Sequence, residues 1–394
     1  MKKIRGITWN HTRGYVSAIA TSQRYEELNP DISITWDKRS LQAFADMSLR
    51  CLSLEYDLIV MDHPHTALAA DTGILLPLDE YLSATFLDDC LANSVGQSHQ
   101  SYAYNDHQWT LASDAAAPIS TWRPDLVEKY GIALPKTWDE VHELTAEGFV
   151  SLPLFPIDSL MLFLSLCNGY GASLFSSDTE VGPREVMMTA LERLKQIADL
   201  CAPECLSMNP IRIAEHMTSS DEKSATYCPA AYGYSNYSRI GFPGKPLKAG
   251  GLVNIDGKTM KSVLGGAGIA VSSMTPFKKE CADFARFIAS PEVQCGVYFD
   301  SGGQPGHRSA WNDDRINQAC SNFFKDTLDT LDSAIVRPQY SGYMHFQDHA
   351  STIVHDCISG SIGFETAIKL INTVYLQSIA PDLPRAFSCE PIQV

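Results

Sequence analysis

The sequence predicts an α/β protein of more than one lobe, beginning with a parallel sheet covered by helices. Three observations predict it. Short apolar runs at Ile4–Trp9, Ile32–Asp37 and Leu58–Met61 are bounded by polar residues or Pro, as strands buried on both faces are. Helical patterns separate them, giving β-α-β units whose crossovers are right-handed. At 394 residues the chain exceeds one ordinary core, since domains usually hold about 100–200 residues.

Taken in order, the first run ends in Asn10-His11-Thr12-Arg13-Gly14-Tyr15. Val16, Ile19, Ala20 and Leu28 then fall on one side of a helix whose other side carries Arg24, Glu26 and Glu27. Asn29-Pro30-Asp31 stops that helix, and the second run ends in Lys38-Arg39-Ser40. Leu41 to Glu55 is the next expected helix, leading to Leu58-Ile59-Val60-Met61 and the cluster Asp62-His63-Pro64-His65. Gly73 to Leu82 reads as a short strand or turn entering a helix, and Gln108 to Ala112 as a strand. Thr137 with Glu140 makes a capping box. Between Met187 and Cys201, and again between Phe277 and Ile288, apolar residues recur at helical spacing. Ser290-Pro291 offers an N-cap and first-turn Pro for another helix.

The composition, 45% hydrophobic and 19% charged, is that of a folded protein. A formal charge of −16 argues against general nucleic-acid or anionic-membrane binding. No apolar run is long enough to span a membrane. Met1-Lys2-Lys3-Ile4-Arg5 enters the first strand without the apolar segment of a secretory signal, so the expected location is the cytoplasm, or the periplasm where a signal has been cleaved. Eleven cysteines show no disulfide framework. Cys201 and Cys205 form a close pair, with Cys201 continuing an apolar helix stripe as a core thiol would; Cys167 and Cys228 are weak nucleophile candidates beside polar residues.

Several blocks in order resemble the extracellular solute-binding protein family 1 that serves ATP-driven sugar importers. They are Leu28-Asn29-Pro30-Asp31-Ile32, Tyr56 to Val60, Gly73 to Leu82, Pro135 to Glu140, Gly265 to Ser272, Ser290 to Gln294 and Gly302 to Ala310. The resemblance implies a two-lobe periplasmic-binding-protein-like fold of type II, with a hinge-closing ligand cleft between lobes. It places lobe 1 at 1–112 and 263–307 and lobe 2 at 113–262 and 308–394, with crossings near Ser113-Asp114, Met260–Val263 and Arg308-Ser309. It also implies a small-molecule ligand and, for an exported protein, an ABC-transporter permease as partner.

Three consecutive strand ends deliver His11, Arg13, Arg39, Asp62, His63 and His65 to one sheet edge, where ligands bind in open α/β sheets. Arg13 and Arg39, with His11, suit an anion clamp; the alternative is pairing with Asp37 or Asp62 to order loops. The Asp62-His63-Pro64-His65 cluster admits three readings: a metal site lacking further ligands, an acid/base pair with Asp62 orienting one imidazole, or hydrogen bonding to a ligand or the loop. Asp114 is a ligand group or a turn former. Tyr232, Tyr234 and Tyr237 offer aromatic faces for a sugar ring or cation, or for packing. Gln304 and His307 lie in a Gly-rich loop that can approach a ligand, and Asp158 reads as a helix N-cap before a ligand group.

These residues predict a binding protein that closes over a small polar or anionic organic molecule, carbohydrate-like or a carboxylate. No cofactor or resident metal is expected. The alternative is an intracellular enzyme on the same architecture, using Asp62, His63 and His65 for acid/base chemistry.

Overall fold

The structure is a computed structural model and describes residues 1–41 and 48–380. The strands are β1 (Lys2–Trp9), β2 (Ile32–Arg39), β3 (Leu58–Met61), β4 (Ala103–Tyr104), β5 (His107–Gln108), β6 (Thr110–Ala116), β7 (Pro118–Trp122), β8 (Tyr227–Tyr232), β9 (Lys248–Gly250), β10 (Asn254–Ile255), β11 (Lys258–Thr259) and β12 (Gly265–Val271). The first lobe carries a five-stranded sheet in the order β2-β1-β3-β12-β6. β1 runs parallel to β2 and β3, so the three strand ends read from the sequence do share one edge. β12 is antiparallel to both neighbours, which makes the sheet mixed rather than purely parallel.

Gly266 lets β12 fit there. Its φ is +107°, and a Cβ would stand 2.5 Å from the Asp114 carbonyl oxygen and 2.9 Å from Ala115 Cα. Only glycine meets both the left-handed conformation and the close approach.

β6 holds the first sheet to Ala116, and β7 opens the second, so the chain passes between sheets at Ala117. The second lobe has the antiparallel sheet β8-β7-β9 and the apolar helices Pro156–Gly169, Arg184–Leu200, Tyr343–Ile358 and Phe364–Ile379. A separate apolar cluster joins Ala115, Ala117, Leu264, Phe299, Trp311 and Phe324, packing the crossing from both sides.

Local patterns explain most elements. Helix Arg184–Leu200 buries Met187, Ala190, Leu191, Leu194, Ile197 and Ala198, the predicted stripe, with Cys201 as its C-cap. Helix Lys278–Ala289 buries Cys281, Phe284, Ala285 and Ile288 as predicted. Thr137 accepts from the Glu140 N–H at 3.2 Å, but the Glu140 carboxylate closes the box one residue early, on the Lys136 N–H.

Other expectations need correcting. Helix Ser17–Leu28 turns Ala18, Thr21, Ser22 and Tyr25 inward, leaving Val16 43% and Leu28 55% exposed. Part of the polar inner face is satisfied, since Trp36 Nε1 donates to Ser22 Oγ and the Tyr25 hydroxyl to Asp283, while the Thr21 hydroxyl has no partner. Ser290 stands at the N-cap position of the short helix Pro291–Val293 with Pro291 in its first turn, as expected, but its hydroxyl donates to the Phe287 carbonyl and makes no capping bond. Gly73 to Leu82 forms a bridge from Leu75 to Ser272 and a 3-10 turn at Leu78–Glu80. Of the helix expected at Leu41 to Glu55, Leu49–Glu55 is helical, and positions 42–47 lie outside the described residues. Among the described residues nine cysteines are free thiols, eight of them buried, Cys167 and Cys228 among these, whereas Cys51 is disulfide-bonded, against the expectation of no disulfide framework. No helix among the described residues is long and apolar enough to cross a membrane.

Candidate interlobe binding site

A cavity of about 140 Å³ lies between the lobes. The first lobe supplies Trp9, Arg13, Asp62, His65 and Asp114, and the start of β12 supplies Gly265 to Ala267. Opposite stand Phe155, Ile157 and Asp158 at the start of one helix, Asn209 and Pro210 at the start of another, Tyr232 and Tyr234 at the end of β8, and Arg337, Met344 and Gln347.

Two ion pairs organise the walls. Arg13, in the tight turn after β1, donates through Nε to Asp114 Oδ2 at 2.6 Å and through Nη2 to Oδ1. Its Nη1 donates to the Gly233 carbonyl at 2.8 Å, and its guanidinium lies 4.5 Å from the centre of the Tyr234 ring. Burial works against the Arg13 charge, but Asp114 outweighs it and raises Arg13 above its ordinary value. Arg337 donates to Asp62 Oδ2 at 2.6 Å and to Gln347 Oε1 at 2.9 Å. Asp62 also caps the 3-10 turn His63–His65, accepting from the His63 N–H at 2.8 Å and lying 3.1 Å from His63 Nδ1. Burial pushes Asp62 up, yet Arg337 and His63 together hold it well below the usual carboxylate range. Burial raises the Asp114 carboxyl above its ordinary value against the pull of Arg13, so of the two carboxylates Asp62 is the one its partners hold firmly ionised.

Of the expected site residues, Arg13, Asp62, His65, Asp114, Tyr232 and Tyr234 meet at this cavity. His11, Arg39, His63, Gln304 and His307 do not line it. His11 faces a larger polar groove with Lys38, Glu215 and Tyr237; its Nδ1 accepts from the Arg13 N–H, and burial with Arg13 nearby pushes its pKa down to about 4. A neutral His11 adds nothing to an anion clamp at neutral pH. Arg39 is buried, donates Nη2 to the Val60 carbonyl at 3.0 Å, and is pushed by burial down to about 10. The expectation that Arg13 and Arg39 together clamp an anion at this cavity fails, because Arg13 is held by Asp114 and Arg39 does not line the cavity. His63 is buried beneath Asp62, and its Nε2 has no hydrogen-bond partner. Gln304 accepts from the Ser235 N–H and donates to the Ala115 carbonyl, tying down the crossing. His307 contacts Asp89 and Ser309.

The sequence reading missed Trp9 as a wall, and also Phe155, Ile157, Asn209, Pro210, Arg337, Met344 and Gln347. Pro156 and Pro210 at first-turn positions mark two of these helix starts. Nothing local singles out Arg337. Asp158 is no N-cap; Phe155 holds that position, and Asp158 sits within the first turn. Its Oδ2 has no hydrogen-bond partner, and burial pushes its carboxyl up to about 8.

That shift sets a pH signature. A carboxyl whose folded pKa is raised binds a proton that the unfolded chain has lost, so its contribution to stability is complete below about pH 4 and declines as pH rises towards 8. Asp158→Asn is expected to remove this decline and to stabilise the protein above pH 8. Melting temperatures across pH 4–9 would check it; parallel wild-type and variant curves would show that Asp158 is not buried in its neutral form.

Among the described residues, no group of three or more His, Cys, Asp or Glu side chains is placed to hold a metal ion. The site is therefore polar and aromatic, with two internally neutralised guanidinium groups and one unengaged carboxyl oxygen.

Comparison with known proteins agrees with this architecture. Residues 8–198 match the model of the bacterial extracellular solute-binding protein family. The maltose-bound MalE3 of T. maritima superposes with a TM-score of 0.80 at 17% identity, covering 95% of this chain and 99% of that one. A ribitol-bound solute-binding protein from Agrobacterium radiobacter gives 0.80 at 17%, covering 95% and 98%. A tagatose-bound one from Thermotoga lettingae gives 0.80 at 17%, covering 96% and 100%. With its strand ends, crossings and interlobe cavity arranged in this way, the chain has the two-lobe fold of these solute-binding proteins, and its residues 8–198 match the bacterial extracellular solute-binding protein family.

Proposed function

We propose that the protein binds one small polyhydroxylated molecule, a sugar or polyol, in the interlobe cavity. The observation that carries this reading is the charge state of the walls. Both guanidinium groups of the cavity already hold carboxylates of the chain, Arg13 with Asp114 and Arg337 with Asp62, so an anionic ligand would have to displace one of them. Trp9, Phe155, Tyr232 and Tyr234 offer ring faces suited to the apolar side of a sugar. The cavity is small beside the roughly 300–1,000 Å³ of drug-sized pockets, which favours a single ring or a short polyol over an oligosaccharide. The maltose, ribitol and tagatose of the similar structures support the same class. Under this reading the partner is the permease of an ATP-driven importer, and the family's extracellular description favours a periplasmic or extracellular setting over the cytoplasm.

A thermal-shift panel tests it. A ligand at about 100 times its Kd adds roughly 2.7 kcal/mol to the folded state. Sugars or polyols are expected to raise Tm, and Tyr232→Phe, which keeps the ring and removes the hydroxyl, to weaken binding about tenfold. Stabilisation by carboxylates or phosphates alone would overturn the proposal.

A further inference from the structure

Asp158 is the residue that the sugar or polyol reading leaves unexplained. Its side chain lines the cavity, the residue is 8% exposed, and Oδ2 accepts no hydrogen bond from the protein. The titratable groups that face it are Cys228, Tyr232 and Tyr234, none of them cationic. The guanidinium groups across the cavity are held by Asp62 and Asp114. The cavity therefore contains three carboxyl groups and two guanidinium groups, and the unmatched one is Asp158.

A buried carboxyl without a partner is costly, and a filled site must compensate it. A ligand hydroxyl can donate one hydrogen bond but leaves the charge balance unchanged. An ammonium supplies both the donor and the positive charge that balances the Asp158 carboxylate once its proton has left, and a charge-assisted bond of this kind is about twice as strong as a neutral one. Tyr232 and Tyr234 also stand where a cation would meet aromatic faces. The Tyr232 hydroxyl and Arg337 Nε lack partners and remain for the oxygens of the same ligand.

We propose that the ligand is an aminated sugar or amino-polyol whose protonated amine binds Asp158. The proposal rests on the sugar or polyol reading and narrows it. Because burial keeps the Asp158 carboxyl protonated near neutral pH in the free protein, binding exchanges its proton for the ammonium. The neutral carboxyl and the ammonium ligand become a carboxylate–ammonium pair, and one proton passes to buffer.

Isothermal titration at pH 6.5, in two buffers of different ionisation enthalpy, tests this with glucosamine against glucose, and amino-sorbitol against sorbitol. N-acetylglucosamine serves as the same ring without the charge. Each amine is expected to bind at least about tenfold more tightly than its neutral counterpart, a difference of about 1.4 kcal/mol, and to release about one proton. Asp158→Asn is expected to reduce that preference to near parity and to abolish proton release. Neutral sugars binding as well as the amines, without proton release, would overturn the inference and leave the sugar reading standing. Binding by neither class would overturn both.

Discussion

Replacing Asp114 with alanine is expected to destabilise the protein by about 3–5 kcal/mol and to abolish ligand binding. The Arg13 and Asp114 side chains are 4% and 0% exposed, so the remaining guanidinium has no water to turn to. It keeps the Gly233 carbonyl and the Tyr234 ring but loses the carboxylate bonded to it. Taking both charges away is a different experiment. Combining Asp114→Ala with Arg13→Met is expected to regain much of the stability, since apolar replacement of a buried pair is often neutral, while binding stays lost. Denaturant unfolding with parallel ligand titration reads both quantities. A single variant within about 1 kcal/mol of wild type would mean that the pair does not hold this wall together.

The second large effect is expected at Gly266. Alanine there adds an atom 2.5 Å from the Asp114 carbonyl oxygen, a backbone atom that cannot swing aside, and it does so at a φ of +107°. The loss is expected to be about 2–4 kcal/mol, combining left-handed strain with displacement of β6. Gly131 is the control. Its φ of +64° carries the strain, but nothing lies within 4 Å of its added Cβ, so Gly131→Ala is expected to cost only about 1–2 kcal/mol. Equal losses at the two positions would remove the crowding argument. Because β6 carries Asp114 towards Arg13, Gly266→Ala is also expected to weaken binding, which Gly131→Ala would leave intact.

Much of the architecture could be read from local patterns. The apolar runs before His11, Arg39 and Asp62 gave the parallel strands, and the spacing from Met187 to Cys201 gave a helix that begins three residues earlier, at Arg184, and ends one residue earlier, at Leu200. What the sequence hid was pairing across distance. Arg13 reads as a free cation until β6 places Asp114 under it, and Asp62 reads as a partner for histidine until Arg337 arrives from 275 positions later. Local spacing carries no trace of either pair, because each depends on where the chain crosses between lobes. Asp158 was misjudged for another reason. Short polar residues before an apolar run commonly cap helices, but Pro156 had already begun this one and carried Asp158 into its first turn. Ser22 and Thr21 mislead in the opposite direction, as polar residues turned inward, Ser22 bonded to Trp36 and Thr21 buried without a partner.

The position of β12 also bears on how the chain comes to be made. The strand that fills the middle of the first sheet, between β3 and β6, is the last of its five to be synthesised. At about 5–20 residues per second, roughly ten to thirty seconds separate the appearance of β6 from that of β12 on the ribosome. During that interval β3 and β6 each present an unpaired inner edge, and the whole of the second lobe's sheet emerges. The nascent first lobe is an unfinished sheet with two sticky edges, a target for holding chaperones and the stage at which aggregation competes most strongly with folding.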